Sequence, residues 1–259
     1  MGRFDGYLFL SDMDGTLTYQ DQVSPENQAA IRYFQEEGGI FTIATGRPPM
    51  YIRHFLDQVQ PNTYVVAVNG TVIYDLENDK AVWTDSLPMD VVDVVEYAQA
   101  YHPQAFEIHI TNSFDAYSVR FDLKKDGDFR KFASQVPGPW YKLIIIEKAD
   151  QSKKGLDDLI EHFGHRFRFE RSWPEGIEVH SLGSGKDVCI HKLKELIPSV
   201  HTVLAAGDYE NDIAMIQAAD IGYAMGNALE HVQKAADRVA PVFTDHAIAQ
   251  IIYQLEKGD

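Results

Sequence analysis

The stretch that most constrains this chain runs from Leu8 to Leu17, where an apolar segment ends in Asp12-Met13-Asp14-Gly15-Thr16. The apolar segment is typical of a buried strand in a parallel sheet. Open α/β sheets bind ligands at the carboxyl ends of their strands, where both aspartates would lie. Two carboxylates at such a short distance repel each other, so the pair predicts either a bound metal or a shared proton. With Mg²⁺ present, one carboxylate can hold the metal and act as a nucleophile while its neighbour transfers protons.

A turn or a calcium loop is the alternative interpretation of a short Asp-x-Asp-Gly run. The calcium loop needs a ligand spacing and a closing Glu that do not follow here. This stretch alone does not distinguish a plain turn from a catalytic strand end, so the other motifs of the chain are needed.

Composition limits the classes of protein that this chain can belong to. Its 259 residues, 45% of them hydrophobic, can form one large core or two modest ones. A net charge of −16 argues against nucleic acid and anionic membranes as partners. No apolar run approaches the ~20 residues of a membrane span. The single cysteine, Cys189, excludes an internal disulfide and suits a reducing compartment, so we expect a cytoplasmic protein.

Strand and helix signals alternate after the first strand. Ser24-Pro25 is typical of a helix N-terminus, and Ile40 to Ala44 reads as a second buried strand. A helix is expected after Pro48, followed by a third strand from Tyr64 to Val68. This alternation predicts a doubly wound α/β fold. The Asn69-Gly70 pair that follows the third strand predicts a tight hairpin.

The pattern changes in the middle of the chain and then returns. Residues 83–180 mix strands and helices without Gly-rich turns, which indicates an inserted α+β domain. Alternation resumes with a helix that carries Lys186 in its first turn and a strand from Thr202 to Ala206. We therefore predict a core built from residues 1–82 and 181–259, with the insertion between them.

Polar side chains follow three of the predicted core strands. They are Asp12 and Asp14, then Thr45-Gly46-Arg47, then Asp208 with Asn211 and Asp212. The carboxyl ends of parallel strands meet at one edge of a sheet, so these groups are expected to converge there, with Lys186 at a helix start. A single Gly-Asp turn is usually structural, but three such strand ends together favour a catalytic site.

With these residues in order, the chain resembles the haloacid dehalogenase superfamily of phosphohydrolases, in its Cof-like branch, subclass IIB. The four family motifs correspond to Asp12–Thr16, Thr45, Lys186 and Gly207–Asp212. One departure is that Asp187 follows the motif lysine, where the family commonly has Gly. The resemblance implies a Rossmann-like, doubly wound parallel sheet with an inserted α+β cap domain of type C2B that sets substrate specificity.

The resemblance also implies a role for each motif residue. Asp12 would attack phosphorus, and Asp14 would give a proton to the leaving oxygen and later take one from water. Thr45 and Lys186 would act in catalysis by holding the phosphoryl oxygens. The implied Mg²⁺ ligands are Asp12, Asp14, the Met13 carbonyl, Asp208 and Asp212. The implied phosphate and substrate ligands are Thr45, Gly46, Arg47, Lys186 and Asn211, with Arg47 alternatively bracing its loop.

The sequence thus predicts a Mg²⁺-dependent phosphatase of small phosphorylated metabolites, such as sugar phosphates, that works through an aspartyl-phosphate on Asp12. A phosphomutase acting on sugar phosphates is the alternative within the same chemistry. A non-catalytic binding protein on the same fold is the alternative from another class. The expected partner is the small-molecule substrate rather than nucleic acid or membrane, in a monomer or homodimer.

Overall fold

The computed structural model describes residues 2–115 and 118–257, which divide into two compact units. The core unit comprises Met1–Trp83 and Gly185–Asp259, and the inserted unit comprises Thr84–Ser184. The sequence-based boundaries, after residues 82 and 180, lie close to these divisions. No helix among the described residues is both long enough and apolar enough to cross a membrane.

The core unit contains a parallel sheet, a small hairpin sheet and six helices among the described residues. Its first segment contains β1 (Tyr7–Ser11), α1 (Pro25–Glu36), β2 (Ile40–Ile43), α2 (Pro49–Ile52), β3 (Val65–Ala67), β4 (Val72–Asp75) and β5 (Lys80–Thr84), the last of which ends at the boundary with the inserted unit. The inserted unit contains α3 (Val92–Tyr101), β6 (Glu107–Thr111), β7 (Val119–Asp122), α4 (Phe129–Ala133), β8 (Lys142–Ile146), α5 (Ala149–Phe163), β9 (Phe167–Trp173) and β10 (Gly176–Ser181). The core resumes with α6 (Lys186–Leu196), β11 (Thr202–Gly207), α7 (Ile213–Ala218), β12 (Ile221–Ala224), α8 (Glu230–Ala235), β13 (Arg238–Val239) and α9 (Ala247–Lys257).

The parallel sheet has the strand order β13-β12-β11-β1-β2. In its centre, Leu10 of β1 lies in register with Ala205 of β11 on one side and Thr42 of β2 on the other. The chain therefore leaves β1 toward β2 but returns to the opposite side of β1 at β11. Ligands of doubly wound sheets bind at such a reversal, beyond the carboxyl ends of the strands.

Both faces of β1 are buried, as the apolar run predicted. Leu8 and Leu10 lie in one core cluster with Ile190 of α6. Phe9 faces the other way, with its ring centroid 6.2 Å from that of Phe34 in α1 and 5.7 Å from that of Phe41 in β2. Helices thus pack on both faces of β1, as is typical of a strand in a parallel sheet.

The elements after β1 follow the predicted order. The second helix is shorter than expected, and the third strand is not a full member of the parallel sheet. Ser24 caps α1 by accepting a hydrogen bond from the Asn27 amide, as its sequence indicated. The helix after Pro48 is only one turn long, and a 3-10 turn (Arg53–Phe55) continues it. The third strand, β3, touches the parallel sheet through one bridge and then pairs antiparallel with β4, which confirms the hairpin.

The inserted unit is an antiparallel sheet, β7-β6-β8-β10-β9, with a helical layer. Alternate strand residues such as Ile108, Ile145 and Val179 are buried in a cluster with Leu156 of α5. The α+β character expected of the insertion is therefore confirmed. The strand predicted from Ala116 begins outside the described residues, and β7 is seen from Val119.

Candidate active site

The end of β1 presents a buried aspartate to a buried lysine. The Asp12 amide donates to the Ala206 carbonyl oxygen at 2.8 Å, which continues the pairing of β1 with β11. The Asp12 Oδ1 atom accepts a hydrogen bond from Lys186 Nζ at 2.7 Å. The same ammonium donates to Asp212 Oδ1 at 2.6 Å. Lys186 is only 1% exposed, so both hydrogen bonds of its ammonium are shielded from solvent.

The loop after β11 is folded around the Asp212 side chain. Asp212 Oδ2 accepts hydrogen bonds from the amides of Asp208, at 3.0 Å, and Tyr209, at 3.2 Å. A Cβ on Gly207 would collide with the Asp212 side chain, so this tight approach requires glycine. Asp208 Oδ1 accepts from Thr16 Oγ1 at 3.1 Å, which ties this loop to the turn after β1.

Three carboxylates at this edge form a group that fits a divalent cation. Oxygens of Asp12, Asp208 and Asp212 lie within 4.8 Å of one another. Burial, followed by the charge of Asp212, raises the pKa of Asp12 well above its usual value, although Lys186 opposes the rise. The same two causes raise the pKa of Asp208 to about 7. One ammonium does not neutralise three carboxylates, and hard oxygen donors suit Mg²⁺.

Lys186 itself keeps its positive charge in this site. Burial alone would lower its pKa, but the neighbouring Asp12 and Asp212 carboxylates outweigh burial and raise it. The site therefore combines a permanent cation with an acidic group that still carries excess negative charge, an arrangement suited to binding a metal and a phosphoryl group side by side.

The Asp14 side chain lies outside the group of three carboxylates, and the Met13 carbonyl oxygen has hydrogen-bond donors of its own turn beside it. The Met13 carbonyl oxygen already accepts from the Leu17 amide and from the amide and hydroxyl of Thr18, all at 2.9 to 3.0 Å. It therefore points into its own turn. The Asp14 carboxylate is half-exposed and is held by Arg47 instead.

Arg47 braces Asp14 with both arms of its guanidinium. Its Nε donates to Asp14 Oδ2 at 2.9 Å and its Nη2 donates to Asp14 Oδ1 at 3.2 Å. The guanidinium carbon also lies 4.5 Å from the centre of the Tyr51 ring. The hydrogen bond to Asp14 is the main cause that raises the pKa of Arg47. Arg47 thus holds the catalytic-motif carboxylate of Asp14, and its contact with substrate stays a prediction.

The other predicted phosphate ligands belong to the segment after β2 and to the loop after β11. Thr45 is buried two residues after the end of β2, and its Oγ1 accepts a hydrogen bond from the Arg47 amide at 3.1 Å. The Asn211 amide nitrogen donates to Asn69 Oδ1 at 3.1 Å. Asn211 Oδ1 is buried without a hydrogen-bond partner among the described residues.

Comparison with known proteins agrees with this geometry. The family model for haloacid dehalogenase-like hydrolases matches residues 9–252, which is nearly the whole chain. The chain belongs to this family. The resemblance predicted from the four motifs is thereby confirmed.

Curated relatives of this haloacid dehalogenase-like hydrolase include two named phosphatases. The 5-amino-6-(5-phospho-D-ribitylamino)uracil phosphatase YcsE of Bacillus subtilis is 28% identical over 247 residues, covering 95% of this chain and 94% of its own. The pyridoxal phosphate phosphatase YbhA of Escherichia coli is 27% identical over 268 residues, covering 93% and 96%. Both relatives align along almost their full lengths, so the similarity includes the inserted unit.

Solved structures agree on the fold. A haloacid dehalogenase-like hydrolase from Bacteroides thetaiotaomicron is 28% identical with a TM-score of 0.72, covering 96% of this chain and 98% of that one. A subclass IIB sugar phosphatase of the superfamily is 18% identical with a TM-score of 0.76 and the same coverage. At that identity it supports the fold alone.

Sequence reasoning misses three side chains that shape the site of this hydrolase. Thr16 is marked in the sequence only as the end of a motif, yet it binds Asp208. Asn69 is marked only as a turn residue, yet its side chain binds Asn211. Asn227 donates from Nδ2 to the Gly15 carbonyl oxygen at 2.9 Å. Turn motifs mark such positions, but only the tertiary fold shows which group each side chain reaches.

Proposed function

We propose that this haloacid dehalogenase-like hydrolase is a Mg²⁺-dependent phosphatase of small phosphorylated metabolites and that it forms an aspartyl-phosphate on Asp12. The observation that carries the proposal is the Lys186 ammonium, which joins Asp12 to Asp212 beside Asp208. A binding protein needs no buried carboxylate held by a lysine at the end of a central strand. A nucleophilic carboxylate next to a cationic phosphoryl site does need this arrangement.

In the first step, a carboxylate oxygen of Asp12 bonds to phosphorus while the bond from phosphorus to the ester oxygen breaks. Asp14 gives its proton to that oxygen, which leaves as an alcohol. Asp14 lies two residues beyond the nucleophile, outside the acidic group, and its half-exposed side chain would take up a proton once substrate binding draws the Arg47 guanidinium away from it. Lys186, Thr45, the Gly46 amide and Asn211 hold the phosphoryl oxygens during the transfer.

In the second step, a water oxygen bonds to phosphorus and the bond to Asp12 breaks, which releases inorganic phosphate. Asp14 takes the proton of that water and so returns to its starting state. Lys186 remains charged throughout and stabilises the Asp12 carboxylate as it is released. Both steps therefore use Asp12 as the group that bonds to phosphorus, and only Asp14 changes its proton state between them.

The metal ligands in this proposal are Asp12, Asp208 and Asp212, whose oxygens are grouped closely enough to hold one ion. Bound Mg²⁺ would offset the negative charge that the carboxylates and the phosphoryl group bring together. Thr16 holds the Asp208 carboxylate in place through its hydroxyl, and the amides of Asp208 and Tyr209 hold that of Asp212. In this proposal Asp14 transfers protons and does not bind the metal.

The substrate class is proposed from the named relatives. YcsE is named for a ribityl-linked phosphate and YbhA for pyridoxal phosphate, and both names describe phosphorylated small molecules. We propose that the inserted unit selects among compounds of this kind, including sugar phosphates.

The test is release of phosphate from a panel of sugar phosphates, pyridoxal phosphate and ribityl phosphates, with Mg²⁺ and with chelator. Asp12→Asn is the matched control, because it keeps the shape of the side chain and removes the nucleophile. We expect Mg²⁺-dependent release from a few related compounds by the wild type and none by the variant. Mass spectrometry of acid-quenched wild type should locate a phosphoryl group on the peptide that contains Asp12.

The alternatives give different results in the same assay. A phosphomutase would need a bisphosphorylated activator and would release little phosphate. A binding protein would neither release nor transfer phosphate. Full activity in excess chelator would overturn the metal role, and clear phosphate release by Asp12→Asn would overturn the nucleophile.

A further inference from the structure

The turn between β3 and β4 has an unusual backbone that lies against the site. Val68, Asn69 and Gly70 are three consecutive residues with positive φ, at 52°, 54° and 80°. Glycine and asparagine tolerate this region, but a β-branched valine adopts it rarely. Such a conformation persists only where the surrounding structure holds it in place.

The backbone of this turn holds two motif segments. The Val68 amide donates to the Arg47 carbonyl oxygen and the Asn69 amide donates to the Thr45 carbonyl oxygen, both at 3.0 Å. On its other side, the Gly185 amide donates to the Gly70 carbonyl oxygen at 3.2 Å. The turn therefore joins the segment after β2 to the start of α6.

The side chain of Asn69 reaches a third motif segment. Asn69 is fully buried, and its Oδ1 accepts from the Nδ2 of Asn211, which is 3% exposed. A primary amide nitrogen carries two hydrogens, so one hydrogen of Asn211 Nδ2 remains for another acceptor. The bond to Asn69 fixes the rotation of the Asn211 amide and hence the direction of that second hydrogen.

We propose that Asn69 is a positioning residue, which aims the Asn211 amide so that its second hydrogen donates to the phosphoryl group of the substrate. The proposal rests on the proposed function, in which Asn211 holds phosphate. Asn69 does not touch the substrate and acts through Asn211. The same turn also bonds to the backbone at Thr45 and next to Lys186, so it holds both residues in place relative to the Asn211 amide.

The decisive variant is Asn69→Gly, because glycine keeps the left-handed backbone and removes only the side chain. We measure the affinity for orthophosphate by calorimetry in the presence of Mg²⁺, together with kcat and KM. Loss of an aimed hydrogen bond to an anion should weaken phosphate binding about tenfold. Asn69→Ala is the second variant, in case glycine loosens the turn. We expect it to weaken phosphate binding to the same extent.

A double-mutant cycle separates positioning from a general effect on the turn. Asn211→Ala should weaken phosphate binding by itself, and adding Asn69→Gly should then cause no further loss. Asn27→Ala is the matched control: Asn27 is equally buried, but its side chain caps the Ala249 amide. That control should lower the melting temperature and leave phosphate affinity unchanged.

Unchanged phosphate affinity in Asn69→Gly, or losses that add fully in the double variant, would overturn the positioning role. These results differ from failure of the proposed function, which would appear in the wild type as absent Mg²⁺-dependent phosphate release.

Discussion

Replacing Lys186 with methionine tests the electrostatics of the site most directly. Methionine keeps the length and most of the packing of the side chain while removing its charge. The change deletes two charge-assisted hydrogen bonds, at 2.7 Å to Asp12 and 2.6 Å to Asp212. It also leaves both buried carboxylates without a cation. Breaking a buried pair in this way costs about 3–5 kcal/mol, so in chelator the core unit should lose stability by about that amount.

Magnesium should restore much of that loss. A cation that binds only the folded state stabilises it by about 2.7 kcal/mol at a concentration about a hundredfold above its Kd. Without the competing ammonium, the three carboxylates should bind Mg²⁺ more tightly in Lys186→Met than in the wild type. The difference in stability between the two proteins should therefore shrink when Mg²⁺ is added, while phosphate release stays absent from the variant.

Hydrogen exchange with mass spectrometry is the assay, because it reports the opening free energy of β1 and α6 separately from that of the inserted unit. Lys142→Met is the matched control. Lys142 is 4% exposed and donates to Glu178 at 2.7 Å in the inserted unit. Loss of the Lys142 charge should also destabilise the inserted unit, but the size of this loss should not depend on Mg²⁺. Equal responses of the two variants to Mg²⁺, or wild-type stability of Lys186→Met in chelator, would refute the reasoning.

Three other perturbations test separate parts of the structure. Asp12→Asn should melt in chelator at or above the wild-type temperature, because burial already disfavours the Asp12 charge; a clearly lower melting temperature would contradict this. His102→Gln should destabilise the inserted unit by about 1–3 kcal/mol below pH 6.5, and less as pH rises through the pKa of His102, which the hydrogen bond with Glu147 raises. Hydrogen exchange across this pH range checks that sign, and a constant difference would count against it. Gly70→Ala should cost at least about 2 kcal/mol in urea unfolding, because a Cβ there meets the Gly185 backbone at positive φ; a neutral result would show that the turn can shift.

The sequence by itself determined the identity of the reactive groups. The apolar run before Asp12 is typical of a buried strand, and parallel strands carry their ligands at their carboxyl ends. That rule alone is enough to place Asp12, Thr45 and Asp208 at one edge of the sheet. The order of the motifs likewise indicated the family, and the change of pattern after residue 82 indicated the insertion.

Only the tertiary structure decided which partner each group meets, because those partners are distant along the chain. Lys186 lies 174 residues from Asp12, and no local pattern shows that its ammonium is shared with Asp212. The sequence likewise does not show that the Met13 carbonyl oxygen accepts hydrogen bonds from the Leu17 and Thr18 amides of its own turn. The contact between Asn69 and Asn211 depends on a left-handed turn that holds two separate motif segments in place. Periodicity specifies which side of a strand is buried, whereas side-chain direction within a site follows from packing between segments that the sequence keeps far apart.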